Sequence, residues 1–141
     1  MAYYGIGGGT IGTTSMVRAT WSTAHVHSTS DWSDIGQNDL SPGMYAIFFN
    51  FTPSPNSGDI NNSDPDAYEI RILYDGSAIG QTPTAYEDNP HLYQQTIAIS
   101  YFIGWTSGTK TIKFQLRTPD SDAGGAKGGC YCTISRIMDY S

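Results

Sequence analysis

At 141 residues the chain has the size of one ordinary domain, long enough to bury a core without disulfide or metal staples. Charged residues make up only 14%, Tyr (10) outnumbers Phe (5) and Trp (3) together, and Gly reaches 16, a balance that suits strands and turns better than helices. A formal net charge of −6 without any Lys/Arg cluster argues against nucleic acid or an anionic membrane as the partner, and no stretch is long and apolar enough to span a bilayer.

The first segment, residues 1–14, is Gly-rich with isolated Tyr and Ile, a composition that rarely packs alone but orders against a partner. It is read as a flexible N-terminal arm, followed by a single domain over residues 15–141. It has neither the basic nor the apolar region of a secretory signal, so synthesis and retention in a cytoplasm are expected. The run Gly5-Ile6-Gly7-Gly8-Gly9-Thr10-Ile11-Gly12 is no phosphate loop, because that fingerprint needs a strand before it and a helix after it.

Residues 16–28 alternate as a strand, with Val17, Ala19, Trp21, His25 and His27 on one side. A His-x-His pair offers two metal ligands where a site needs three or four, and His91 is the one further histidine. The pair is read as surface or interface, with no metal. Residues 30–43 are rich in turn formers and end in Pro42-Gly43, so they are read as irregular. Next, Tyr45, Ile47, Phe49 and Phe51 share one face of a strand, and Met44, Ala46 and Phe48 share the other. Both faces are apolar. The strand is therefore expected to be central, with a second subunit as one cover.

The loop over residues 52–65 continues into Asp66, and its Asp59, Asn61, Ser63, Asp64 and Asp66 have the oxygen-rich spacing of a calcium loop. The turn glycine and closing Glu of such a loop are missing, so it is read as a solvated acidic loop. A strand over residues 67–74 places Tyr68, Ile70, Ile72 and Tyr74 opposite Glu69 and Arg71, and Asp75-Gly76 marks a hairpin turn. Residues 81–90 read as irregular. A strand in the 91–105 stretch puts Ile97, Ile99, Tyr101 and Ile103 on one side, with small residues expected opposite.

The least ambiguous strand follows. Ile112, Phe114 and Leu116 alternate with Thr111, Lys113, Gln115 and Arg117, and turn residues flank both ends. Residues 120–129 read as a polar Gly-rich loop, and residues 130–141 close the chain as a strand. Cys130 and Cys132, spaced i, i+2 on that strand, are poorly placed to bridge each other. Six to eight short strands and no convincing amphipathic helix predict an all-β, antiparallel β-sandwich.

The segments Tyr68–Gly80, Gly104–Arg117 and Cys132–Met138, in this order, resemble the strand pattern of small tailed-phage virion proteins with a tumour-necrosis-factor-like jelly roll. There a strand ending in Asp-Gly, a strand introduced by Ser-Gly-Thr and a closing strand recur. The resemblance implies a capsid decoration (cement) protein on the virion exterior. It also implies homotrimers at three-fold and quasi-three-fold axes of the head, with the major capsid protein as partner. A receptor- or carbohydrate-binding tip of a phage fibre is the alternative, with Trp32, Tyr86, Tyr93 and Trp105 as candidate sugar-stacking residues.

The interface residues expected on this reading are Tyr3, Tyr4, Ile6 and Ile11 from the arm. Tyr45, Ile47, Phe48, Phe49, Ile99 and Tyr101 are expected from the two apolar strands. No catalytic residues and no cofactor are assigned. Most of the carboxylates (Asp31, Asp34, Asp39, Asp59, Asp64, Asp66, Glu69, Asp75, Glu87 and Asp88) fall among turn formers, where Asp has a local structural use, and none forms a recognisable acid–base pair.

Overall fold

The computed structural model describes residues 10–11, 19–27, 31–53, 66–87, 96–117, 119 and 126–139. The fold is an all-β, antiparallel β-sandwich. Its strands are β1 (Thr10–Ile11), β2 (Ala19–His27), β3 (Ser33–Leu40), β4 (Gly43–Pro53), β5 (Asp66–Tyr74), β6 (Ser77–Ile79), β7 (Thr84–Glu87), β8 (Ile97–Trp105), β9 (Lys110–Arg117) and β10 (Ala126–Asp139). In the first sheet β4 lies between β8 and β10, and β1 and β2 share the far edge of β10. In the second sheet β9 lies between β3 and β5, and β6 and β7 share the far edge of β5.

The strands form where the period of two lets one row of side chains leave water. Ile112, Phe114 and Leu116 of β9 are fully buried, as are Ile70 and Ile72 of β5, and they meet Tyr45, Ile47, Phe49 and Phe51 of β4 across the sandwich. Phe49 packs edge-on against Phe114 at 5.2 Å between ring centres, and Phe51 tilts against Tyr68 at 5.5 Å, geometries that aromatic quadrupoles favour. At one end Tyr45 stacks on Trp105 at 4.9 Å; its hydroxyl donates to Ser41 O, and Trp105 Nε1 donates to Gly108 O, so neither buried polar tip is left without a partner. Cys130, Cys132 and Ile134 add the inner face of β10, and both cysteines are free thiols.

Two local devices close the framework. At Asp75-Gly76 both residues have positive φ (45° and 82°), the two-residue hairpin turn whose twist matches its flanking strands. Asp75 then anchors the turn to β9 by accepting from the Thr111 amide at 2.9 Å and from Lys110 Nζ at 2.7 Å. The second device is the shift of register in β10 between Arg136 and Met138, opposite Tyr45 and Met44. Gly43 lies against that irregularity: a Cβ there would meet Met138 O at 2.8 Å and Arg136 Nε at 2.9 Å.

Several expectations are corrected. Residues 33–40 are not irregular; they form β3, whose ladder to β9 is complete apart from one bulge between Asp34 and Gly36. Residues 84–87 form the short edge strand β7, and β10 already begins at Ala126, inside the segment read as loop. Within the segment read as an arm, Thr10 and Ile11 pair with Asp139 and Met138 of β10.

Phe114→Ala removes a fully buried ring that contacts Phe49 of the facing sheet and opens a cavity in the core. A loss of about 3–5 kcal/mol of unfolding free energy is expected in urea titration, against less than ~0.5 kcal/mol for an exposed substitution such as Ser77→Ala.

Candidate functional site

Because side chains alternate, the residues that fill the core decide which residues face outward, and the two outer faces are chemically opposite. On the first sheet the outward residues of β4 from Met44 to Thr52, of β8 from Ala98 to Gly104 and of β10 from Tyr131 to Ser135 include no charged side chain. Register brings Ala46 between Phe102 and Ser135, and Phe48 between Ser100 and Thr133. Phe48 meets the edge of Tyr131 at 6.4 Å, and Phe102 stands 69% exposed. Ile137, at the irregularity of β10, is the other exposed large apolar side chain among the described residues.

The outer face of the second sheet is a lattice of charges and amides. Lys113 Nζ donates to Asp34 Oδ2 at 2.8 Å, Gln115 Nε2 donates to Asp34 Oδ1 at 2.7 Å, and Arg71 Nε donates to Gln115 Oε1 at 2.8 Å. These four residues form one chain of bonds across β3, β9 and β5. In the adjacent row Arg117 Nε donates to Glu69 Oε2 at 2.5 Å, and the Thr84 hydroxyl donates to the other oxygen of Glu69. Trp32, just before β3, lies over both guanidiniums, with Arg71 Cζ 4.0 Å and Arg117 Cζ 4.6 Å from its ring centre. Farther along, the Thr111 hydroxyl donates to Asp39.

The electrostatics follow from these bonds. The hydrogen bond from Lys113, helped by that from Gln115, holds the Asp34 carboxyl below its ordinary value. Lys110 and the Thr111 amide do the same for Asp75. Burial, and then the like charge of Arg117, lower the Arg71 guanidinium. On the inner face burial pushes the Cys130 thiol up to about 12 and raises Cys132 as well, so both stay protonated and carry no thiolate chemistry at neutral pH. Among the described residues no group of three His, Cys, Asp or Glu is placed to hold a metal ion.

Of the residues expected at an interface, Tyr45, Ile47, Phe49 and Ile99 are withdrawn from that role. They are at most 5% exposed and fill the chain's own core, because the second sheet covers the face that seemed to need another subunit. Tyr101 is half-buried on the same inner side. Phe48 is on the outer face. Ile11 pairs through its backbone with Met138. Tyr3, Tyr4 and Ile6 lie outside the described residues, as do His91, Tyr93, Asp88 and the acidic loop from Asp59 to Asp64. His25 and His27 stand opposite Gly128 and Ala126 in the ladder of β2 with β10. Trp105, a candidate for sugar stacking, is only 8% exposed and belongs to the core.

Two features escaped the sequence. Phe102 falls one position out of step with Ile97, Ile99, Tyr101 and Ile103, and that offset is the signal that it faces outward, where only small residues were expected. Trp32 over Arg71 and Arg117 was hidden because the segment entering β3 read as a turn.

No family model matches the chain, and no curated protein matches it. Among solved structures it is similar to dimeric latent PorU from Porphyromonas gingivalis, at 8% identity and a TM-score of 0.41. That likeness covers 89% of this chain and 14% of the PorU chain.

Acidification reads out the charge lattice. Asp34 and Asp75 titrate below their usual 3.8 when folded, so on acidification the unfolded chain binds protons first. The stability they contribute is whole above about pH 4 and is lost as the pH falls through the lowered values. Asp34→Asn is expected to cost less than about 1 kcal/mol at pH 7, as an exposed pair should, and to flatten the fall of the thermal midpoint between about pH 4 and pH 2. Calorimetry across that range checks both parts.

Proposed function

We propose that the chain is a structural virion protein that works by association, decorating a tailed-phage capsid as a homo-oligomer bound to the major capsid protein. The observation that carries this reading is the uncharged outer face of the first sheet, with Phe102 exposed on its edge strand β8, on a chain of net charge −6. Two such anions repel each other over most of their surfaces. Through this face they meet without desolvating any charge, so a second copy of the chain is the occupant that suits it.

The order of strands supports the jelly-roll resemblance. The chain passes between sheets at each step from β2 to β5 and again from β7 to β10, the wrapping that a jelly roll requires. A protein acting by contact also needs no general acid and base set in a cleft. Asp34, Asp39, Glu69 and Asp75 of the second sheet are engaged in ion pairs and hydrogen bonds within the sheet.

Light scattering is expected to give a native mass above that of the 15.3 kDa single chain, three times that mass if the oligomer is a trimer. Phe102→Glu, which adds a charge to each apposed face, should return the protein to one chain with an unchanged far-ultraviolet spectrum. It should also weaken co-sedimentation with purified capsids at least tenfold. A wild-type protein that remains a single chain at all concentrations and does not sediment with capsids overturns the reading.

A further inference from the structure

Among the described residues five cationic side chains have their contacts determined, and four are paired with a carboxylate: Lys110 with Asp75, Lys113 with Asp34, Arg117 with Glu69 and Arg136 with Asp139. Arg71 is the exception. Its Nε is held by the neutral amide of Gln115, its guanidinium packs on the same indole as that of Arg117, and it feels the like charge of Arg117. An arginine partly withdrawn from water, next to a like charge and without a counter-ion, is costly to keep in a chain with thirteen acidic residues, and a carboxylate would relieve it.

The terminal nitrogens of Arg71 and Arg117 make no hydrogen bond among the described residues. The one fully buried side-chain nitrogen there without a partner is Arg136 Nε, so none of these four nitrogens is sealed from solvent. We propose that Arg71 and Arg117, positioned under Trp32 on the outer face of the second sheet, form a binding site for a carboxylate carried on a sugar ring. The proposal is independent of the association reading, because that surface belongs to the opposite sheet.

Three features select this ligand. The local charge count of Arg71, Arg117 and Glu69 is +1, which a monoanion neutralises; a phosphate dianion would leave an excess of negative charge beside Glu69 and Asp34. The planar fork of a guanidinium matches the two oxygens of a carboxylate. Around the fork, the half-buried Trp32 indole and the Thr84 hydroxyl offer stacking and hydrogen bonding that suit a sugar ring; the methylene stem of an Asp or Glu side chain uses neither.

The test titrates isotope-labelled full chain with sodium glucuronate at constant ionic strength, following the Trp32 indole signal by nuclear magnetic resonance. Acetate, glucose and an acetylated Glu-containing tripeptide serve as parallel ligands. Saturable shifts with glucuronate, with a dissociation constant on the order of millimolar, are expected, along with weaker shifts for acetate and none for glucose. Arg71→Met should weaken glucuronate binding about tenfold, the loss expected for charge-assisted hydrogen bonds. Arg71→Lys, which keeps the charge and removes the fork, should also weaken it and serves as the readout if Arg71→Met unfolds. No saturable shift with glucuronate, equal shifts with glucose, or tighter binding of the tripeptide than of glucuronate would each overturn the assignment. A dispersed spectrum for Phe102→Glu with glucuronate binding intact would show that the two faces act separately.

Discussion

The structure depends on the dry contact between β4 of one sheet and β9 and β5 of the other, with Phe49 set edge-on against Phe114 at its centre. Side chains alternate along strands paired without a bulge, as β4 with β8 and β5 with β9 are, so this one contact assigns every other residue of those strands to a surface. Burying Tyr45, Ile47, Phe49 and Phe51 turns Met44, Ala46 and Phe48 outward; burying Ile112, Phe114 and Leu116 turns Thr111, Lys113, Gln115 and Arg117 outward. The uncharged face and the charged face are therefore two results of one register. A slip of a single residue in either strand would exchange core for surface, which ties folding fidelity and surface chemistry to the same set of contacts.

The two surfaces are held with different stringency. On the first sheet the outward residues are uncharged and make few specific bonds with one another, beyond contacts such as Phe48 with Tyr131 and Thr52 with Thr96. On the second sheet the outward carboxylates of Asp34, Asp39, Glu69 and Asp75 are directed: Asp34 by Lys113 and Gln115, Asp39 by the Thr111 hydroxyl, Glu69 by Arg117 and Thr84, Asp75 by Lys110 and the Thr111 amide. Individually such exposed bonds contribute little to stability. Their effect is orientation, since side chains tied to one another across three strands present a fixed pattern of charge. Gln115 shows how far this goes: it points to the solvent side of β9, yet Arg71 and Asp34 engage both ends of its amide and it is 8% exposed.

Much of this was legible in the sequence where a strand has one clear apolar row. β5 and β9 read directly, and Asp75-Gly76 announced its turn through the two residue types that best tolerate positive φ. β4 was legible as a strand and misleading as a surface. Periodicity says which residues share a face; when both faces are apolar it does not say which one the chain itself covers, and the larger row of Tyr, Ile and Phe went inside. β3 was unreadable because Asp34, Gly36, Asn38 and Asp39 are turn formers by type. Their place in a strand comes from pairing with β9 and from bonds that only the folded chain supplies. The Trp32 site inherits that difficulty, for it joins residues separated by more than eighty positions.

The position of β10 has a consequence for synthesis. It is last in sequence among the ten strands, yet it lies inside the first sheet with β4 on one side and β1 and β2 on the other. On the ribosome the early strands must wait for it, with one edge of β4 and the edge of β2 unpaired until almost all of residues 126–139 have emerged. Such dependence on distant pairing slows folding and lengthens the interval in which an apolar strand is open to wrong partners. Capture of β10 is thus the step that closes the first sheet, and early edges stay open to wrong partners until it happens.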